Sequence, residues 1–124
     1  MKENILLFSF ILNLSLLFIH EMEAVRYREW KMFIILKEMN DSNAYTAFML
    51  LHLPLYIFIL LLLLTGYQGL GFILLDVFLI LHALIHFGFR KHRNNGLTGA
   101  LSKTIIYVMG LLAFLHICTL ILIK

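Results

Sequence analysis

Four apolar runs, each long enough to cross a bilayer, constrain the fold of this chain more than any other feature. About 20 apolar residues suffice to span the hydrocarbon core. The runs cover residues 5–22, 44–64, 70–89 and 104–123. Because backbone polar groups in lipid must bond within their own segment, these runs predict four helices. The sequence therefore predicts an all-α integral membrane protein in which residues 1–124 form a single four-helix bundle.

Composition excludes the other broad classes of protein. Of the 124 residues, 62% are hydrophobic and only 14% are charged, which leaves too few polar groups to cover a small water-soluble domain. A chain this apolar is not disordered either. The net charge of +3 resides in short segments between apolar runs, a pattern that sets membrane topology rather than nucleic-acid binding. His20-Glu21-Met22-Glu23 follows the first run where a signal peptide would have small residues, so we expect a mature helix.

Basic residues concentrate in the loops at 26–43 and 90–103, which a four-span chain places on one side of the membrane. The positive-inside rule predicts that both loops are cytoplasmic and that both termini lie outside. Within the first loop, Met32–Leu36 is an apolar stretch beside Tyr27 and Trp30. This composition predicts an interfacial helix at headgroup depth.

Histidines lie inside the predicted spans, where ionisable residues are costly and each is a functional hypothesis. At a rise of 1.5 Å per residue from the predicted helix ends, His86 lies roughly 6 Å deep, and His52 and His82 roughly 12 Å deep. His20 ends the first span. The four side chains should therefore occupy one layer in the cytoplasmic half of the bundle.

The spacing within this layer suggests metal ligands. Residues three or four apart share a helix face, which pairs His82 with His86 and His20 with Glu23. The predicted ligands are His20, Glu23, His52, His82 and His86. Glu21 is adjacent to His20 and points about 100° away from it, which suits a catalytic base more than a ligand. Glu21 and Glu23 are the candidate catalytic carboxylates. The alternative is a hydrogen-bond network that only holds helices together.

Two further groups of polar residues have separate interpretations. Asp76 and His116 should meet near the bilayer midplane, roughly 20 Å from the cytoplasmic face, as a buried polar pair or a step in a proton relay. Arg26, Arg28 and Arg90 flank the histidine layer at the membrane surface and are candidates for binding an anionic headgroup.

The motifs from His20 to Trp30, Leu51-His52-Leu53-Pro54 and His82-Ala83-Leu84-Ile85-His86 together resemble a family of small bacterial four-span membrane proteins of unknown activity. The stretch after His20 also resembles the His-x-x-Glu-Glu type of membrane protein, although Ala24 stands where its second glutamate would be. The resemblance implies a protein of the bacterial cytoplasmic membrane with functional histidine and glutamate positions. It implies no particular reaction.

Several functions fit these residues. The leading one is a zinc-dependent hydrolase acting on a membrane lipid, and non-haem iron is the alternative metal for the same nitrogen-rich ligands. A haem b subunit would use His52 and His82 as axial ligands. A proton transporter would use Asp76 and His116, and with four spans it would require a homo-oligomer. A non-catalytic assembly subunit would bind no cofactor.

Overall fold

The computed structural model, which describes residues 2–66 and 68–123, consists of four long helices joined by short connections. These are α1 (Lys2–Arg26), α2 (Asp41–Leu64), α3 (Gln68–Gly88) and α4 (Ala100–Ile123). All four are long and apolar enough to cross a membrane, and the described residues contain no strand. The predicted all-α four-span bundle is therefore confirmed.

Polarity is inverted relative to a water-soluble protein. Large apolar side chains such as Leu64 and Leu122 are more than four-fifths exposed, at 83% and 84%. In contrast, Asn13, Asp76 and His116 are buried. Water-soluble folds bury large apolar side chains and expose polar ones. The chain is thus an integral membrane protein whose surface faces lipid and whose interior is partly polar.

The helices do not pack equally. The largest contact is between α3 and α4, and the next largest is between α1 and α4. The α2 helix packs mainly against α3 and the loop that precedes it, and it is the least buried of the four spans. The bundle is therefore a three-helix core of α1, α3 and α4 with a peripheral α2.

One apolar layer crosses this three-helix core. It is formed by Leu17, Leu79 and Met109, one from each core helix, and all three are fully buried. They belong to a single apolar cluster that also includes Phe10 and Ala113. We call these three residues the apolar layer, because polar groups are buried in the bundle on either side of it.

Both connecting loops lie at the same end of the bundle and contact each other. The side-chain amide of Asn94 donates a hydrogen bond to the backbone carbonyl of Lys31 at 2.9 Å. A Cβ atom added to Gly96 would lie 2.8 Å from the carbonyl oxygen of Tyr27, so only glycine permits this contact. Residues 27–40, here called the interfacial segment, contain two short 3₁₀ turns, Glu29–Met32 and Leu36–Glu38, and not a continuous helix over the predicted residues 32–36.

Gly110 lets α4 approach α3 closely, which gives a test of the packing. A Cβ atom at this position would lie 2.6 Å from Cβ of Ala83. We expect Gly110→Ala to lower the free energy of unfolding in detergent by about 1–3 kcal/mol, since overpacking forces the helices apart. Adding Ala83→Gly should recover most of the loss. Gly88→Ala, which enters open space, is the control, and equal melting temperatures for Gly110→Ala and Gly88→Ala would contradict this packing.

Candidate metal centre

Four side chains converge at the end of the bundle where the loops lie. They are His20, Glu29, His82 and His86, here called the His–Glu cluster, and one ligand atom from each lies within 4.8 Å of all the others. The cluster draws on α1, α3 and the interfacial segment. His20, Glu29 and His86 are buried, and His82 is partly buried.

Distances within the cluster match those of a small ion's ligands. The Nε2 atom of His82 lies 2.8 Å from Nε2 of His20 and 3.1 Å from Nε2 of His86. The carboxylate of Glu29 lies 3.1 Å from Nε2 of His86 and 3.7 Å from Nε2 of His20. Donors held about 2 Å from a tetrahedral zinc ion are separated by roughly 3.3 Å. The observed separations bracket that value.

Helix periodicity places the three histidines. On α1, Leu17, His20 and Ala24 are all fully buried, and their spacing of three and four residues marks the face that packs into the core. On α3, His82 and His86 are four residues apart, so their side chains leave the helix on one side. The two inward faces meet, which brings three imidazole rings together.

A reversal of the chain places Glu29. The α1 helix ends at Arg26, and Arg28 adopts the left-handed conformation with φ of 55°, which is uncommon for a residue other than glycine. The turn directs Glu29 back toward the end of α1. Trp30 then donates a hydrogen bond through its indole nitrogen to Asp41 at 3.3 Å, which ties the turn to the start of α2.

Glu29 was not among the residues predicted from the sequence. Periodicity identifies ligands on regular helices, but Glu29 lies in a 3₁₀ turn after a left-handed residue. The one sequence signal was the short distance between His20 and Glu29, with Trp30 directly after Glu29. Nothing in that spacing specifies the reversal at Arg28.

His52 lies outside the cluster, although it was predicted to be a ligand. Its Nε2 atom lies 2.9 Å from the carboxylate of Glu21, and its Nδ1 atom lies 2.7 Å from the carbonyl oxygen of Phe48. Both ring nitrogens therefore face oxygen acceptors. We call Glu21 and His52 the Glu–His pair. Because both ring nitrogens of His52 have oxygen partners, neither is available to the His–Glu cluster.

Glu23, the predicted carboxylate ligand, also lies outside the cluster. Its Oε2 atom is buried and has no hydrogen-bond partner among the residues that the structure describes. The Nδ1 atom of His20 is likewise buried and without a partner in that part of the chain. Because Glu23 follows His20 by three residues on α1, the two side chains are neighbours on one helix face.

A cavity of about 310 Å³, here called the site cavity, adjoins both polar groups. Its lining includes Glu29 and His82 from the His–Glu cluster and both members of the Glu–His pair. The remaining lining residues are apolar and come from the interfacial segment, α2 and α3. The cavity is therefore the space in which the cluster and the pair could act on the same molecule.

Asp76 and His116 form a second polar pair in the bundle. The Nδ1 atom of His116 donates a hydrogen bond to Asp76 at 2.7 Å, and both residues are buried. The rings of Phe10 and Phe72 flank His116. The apolar layer lies between this pair and the His–Glu cluster, so the described residues provide no continuous polar path between them.

The three predicted headgroup-binding arginines lie near the site but do not line its cavity. Arg28 pairs with Asp41 at 3.4 Å, and both side chains are about half-exposed. Arg90 donates a hydrogen bond to the carbonyl oxygen of Phe87 and covers its ring. Arg26 lies over the ring of Tyr27.

Comparisons with curated proteins and with solved structures give no match. The profile of a family of unknown function, DUF6713, matches residues 6–123. This range includes the His–Glu cluster, the Glu–His pair and the buried Asp76. The resemblance to a family of small four-span proteins is therefore confirmed, and the chain belongs to DUF6713.

Proposed function

We propose that this protein is a membrane metalloenzyme, a zinc-dependent hydrolase of an acyl lipid or related amphiphile. The observation that supports this most strongly is the convergence of four ligand atoms within 4.8 Å inside a membrane bundle. Buried ionisable groups in membranes are costly and mark functional sites. A cavity with a second polar pair adjoins the cluster.

The donor set suits zinc. His20, His82 and His86 would hold the ion through Nε2 atoms, and Glu29 would supply a carboxylate oxygen, the nitrogen and oxygen donors that zinc prefers. With one position left open for water, as in catalytic zinc sites, the bound ion would polarise the substrate carbonyl and activate water. The same donors also suit non-haem iron, and elemental analysis separates the two metals. A cation bound between the three Nε2 atoms would satisfy all of them at once.

The Glu–His pair would accept the proton of the attacking water and return it to the leaving group. In ester hydrolysis the water oxygen bonds to the acyl carbon, and Glu21 accepts the proton that this water loses. The bond from the acyl carbon to the alcohol oxygen then breaks, and the proton passes to the leaving oxygen, giving a carboxylic acid and an alcohol. His52, fixed by the carbonyl of Phe48, orients the Glu21 carboxylate at 2.9 Å.

The other functions fit the geometry less well. Haem ligation by His52 and His82 would require two free nitrogens, but His52 is paired with Glu21 and Nε2 of His82 contacts two other histidines. A proton relay from the cluster to Asp76 would have to cross the apolar layer. An assembly subunit gives no reason for four ligand atoms to converge.

The basic residues of the two loops indicate on which side of the membrane the site lies. The loops beside the His–Glu cluster are rich in lysine and arginine, so the positive-inside rule places the site at the cytoplasmic face and both termini outside. A bacterial cytoplasmic membrane supplies anionic lipids there, and Arg26, Arg28 and Arg90 would attract their headgroups to the site entrance. Membrane lipids are thus the proposed partners.

The hydrolase is tested with phosphatidylglycerol in mixed micelles by measuring the fatty acid released. We expect Glu21→Gln and His52→Ala to slow release by about 10²–10⁴-fold, because general base catalysis contributes that much. Zinc content should not change in either variant. Glu38→Gln, an exposed carboxylate of the interfacial segment, is the matched control and should remain active. Equal rates in Glu21→Gln and Glu38→Gln, or no release by the zinc-loaded wild type, would contradict this function.

Glu23 provides a further prediction, on zinc affinity. When Nε2 of His20 binds an ion, Nδ1 keeps its proton, and the neighbouring Glu23 carboxylate is its natural acceptor. We expect Glu23→Leu to weaken zinc binding by about 10–100-fold, as removing the partners of ligand histidines usually does. Competition with a chelator measures the affinity. Unchanged affinity in Glu23→Leu, with Glu38→Leu as the control, would remove Glu23 from this role.

A further inference from the structure

The site cavity adjoins a second space between α2 and α3. This second space, here called the apolar groove, has a volume of about 180 Å³. Leu55 of α2 and Phe78 of α3 line both the site cavity and the apolar groove. The two spaces are therefore adjacent, and together they extend from the His–Glu cluster along α2 and α3; we call them together the passage.

Polarity changes sharply along this passage. At the upper end the walls include the side chains of Glu21, Glu29, His52 and His82. Every residue that lines the apolar groove is a leucine, isoleucine, phenylalanine or glycine. A passage with polar groups at one end only matches an amphiphile with one reactive polar end and one hydrocarbon chain.

The lower end of the groove is closed. A Cβ atom added to Gly71 of α3 would lie 3.1 Å from Cβ of Leu62 on α2, so the two helices meet there. From His52 to Leu62 the helix rises roughly 15 Å. An extended chain of roughly twelve carbons covers this distance, since C–C bonds are about 1.5 Å long and zigzag.

The passage lies beside the most loosely packed helix. The α2 helix is the least buried span and packs less extensively against α3 than α4 does. Phe58 of α2 and Leu74 of α3, which line the groove, are both exposed on the surface of the bundle. An acyl chain can therefore enter sideways from the membrane without crossing water.

We propose that the site cavity and the apolar groove together hold a single acyl chain of about twelve carbons, with its carbonyl carbon beside His82 and Glu21 in the site cavity and its hydrocarbon end in the groove. This inference rests on the proposed function, because it assigns the substrate class of the same site. The acyl chain enters from the bilayer between α2 and α3, and its terminal methyl group lies near Leu62 and Gly71. The groove selects against much longer chains because it is closed at that end.

Photolabelling tests the occupancy independently of hydrolysis. The probe is a twelve-carbon fatty acid with a diazirine at its methyl end, added to the detergent-purified protein, and labelled residues are identified by mass spectrometry. We expect label on residues 58–62 and 71–75. Leu74→Trp, which fills the groove, should reduce this label at least about fivefold, and Phe58→Trp should do the same from the other wall. Leu81→Trp, an exposed position of α3 outside the groove, should not.

The outcomes separate this inference from the proposed function. Label spread evenly over lipid-facing residues such as Leu81 and Leu111, or label at the groove that both blocking variants leave unchanged, would overturn the acyl-chain site. Label confined to the groove in a protein that releases no fatty acid would support the site and contradict the hydrolase. With an active wild type, the release rate should fall for chains longer than about twelve carbons. An equal rate for sixteen carbons would overturn the length limit.

Discussion

Replacing His82 with alanine is expected to abolish the retention of stoichiometric zinc while the protein still inserts and remains helical. The Nε2 atom of His82 contacts the Nε2 atoms of both other histidines, so its loss opens the centre of the donor set. We expect the affinity to fall more than about 100-fold, since even the loss of a ligand's hydrogen-bond partner costs 10–100-fold. The apolar spans do not depend on this side chain. Elemental analysis and circular dichroism measure the two effects.

Three matched variants make this result specific to the His–Glu cluster. Glu29→Gln should weaken zinc binding, because its carboxylate lies 3.1 Å from His86. His52→Ala should retain zinc, because His52 pairs with Glu21 instead. His92→Ala, in the loop after α3, should change nothing. Stoichiometric zinc in the His82→Ala protein, or equal loss in His52→Ala and Glu29→Gln, would contradict the assignment.

A second large effect is expected at the buried Asp76–His116 pair, on stability rather than on metal. His116→Ala leaves the Asp76 carboxylate buried without the hydrogen bond that it accepts at 2.7 Å. Removing one partner of a buried pair typically costs about 3–5 kcal/mol. We expect a loss of that size in the free energy of unfolding in detergent, with zinc content unchanged, because the apolar layer separates this pair from the cluster.

The double variant Asp76→Leu/His116→Leu distinguishes a structural pair from a functional one. Both polar groups are replaced together, so no buried charge is left alone, and most of the stability should return. Fatty acid release should also persist in this variant. A His116→Ala protein as stable as the wild type would contradict the structural role. Loss of activity in a stable double variant would instead favour a proton relay.

The fold was predictable because hydropathy alone determines it. About 20 consecutive apolar residues in a bilayer can satisfy their backbone only as a helix, and the sequence contains four such runs. The observed helix ends differ from the predicted ones by up to four residues, and residue 89 lies in a 3₁₀ turn, Phe89–Lys91, just after α3. Helix ends depend on local capping and loop contacts, such as the side chain of Asn40 that accepts from the backbone of Asn43 at the start of α2.

The cluster was only partly predictable. Helical spacing and depth placed His20, His82 and His86 in one layer, and the structure brings these three together. The depth of a residue along its helix does not, however, determine which residues of the neighbouring helices it contacts. His52 has the expected depth, but the peripheral α2 keeps it with Glu21 across the site cavity.

The carboxylates show what helical periodicity cannot supply. Glu23 shares a helix face with His20, which made it the natural ligand in the sequence. The carboxylate in the cluster is instead that of Glu29, which is brought there by the left-handed turn at Arg28 and by the hydrogen bond from Trp30 to Asp41. Both contacts depend on how the interfacial segment packs over the bundle, and no local sequence pattern specifies that packing.

The metal content of the wild-type protein tests most directly whether the His–Glu cluster binds zinc. The protein is purified in detergent without a histidine tag, treated with a mild chelator and examined by elemental analysis and absorption spectroscopy. We expect about one equivalent of zinc per chain, reduced below detection in His82→Ala, and no haem absorption. A protein that contains neither zinc nor iron, and takes up neither when titrated, would contradict the metal centre and leave the His–Glu cluster as a hydrogen-bond network.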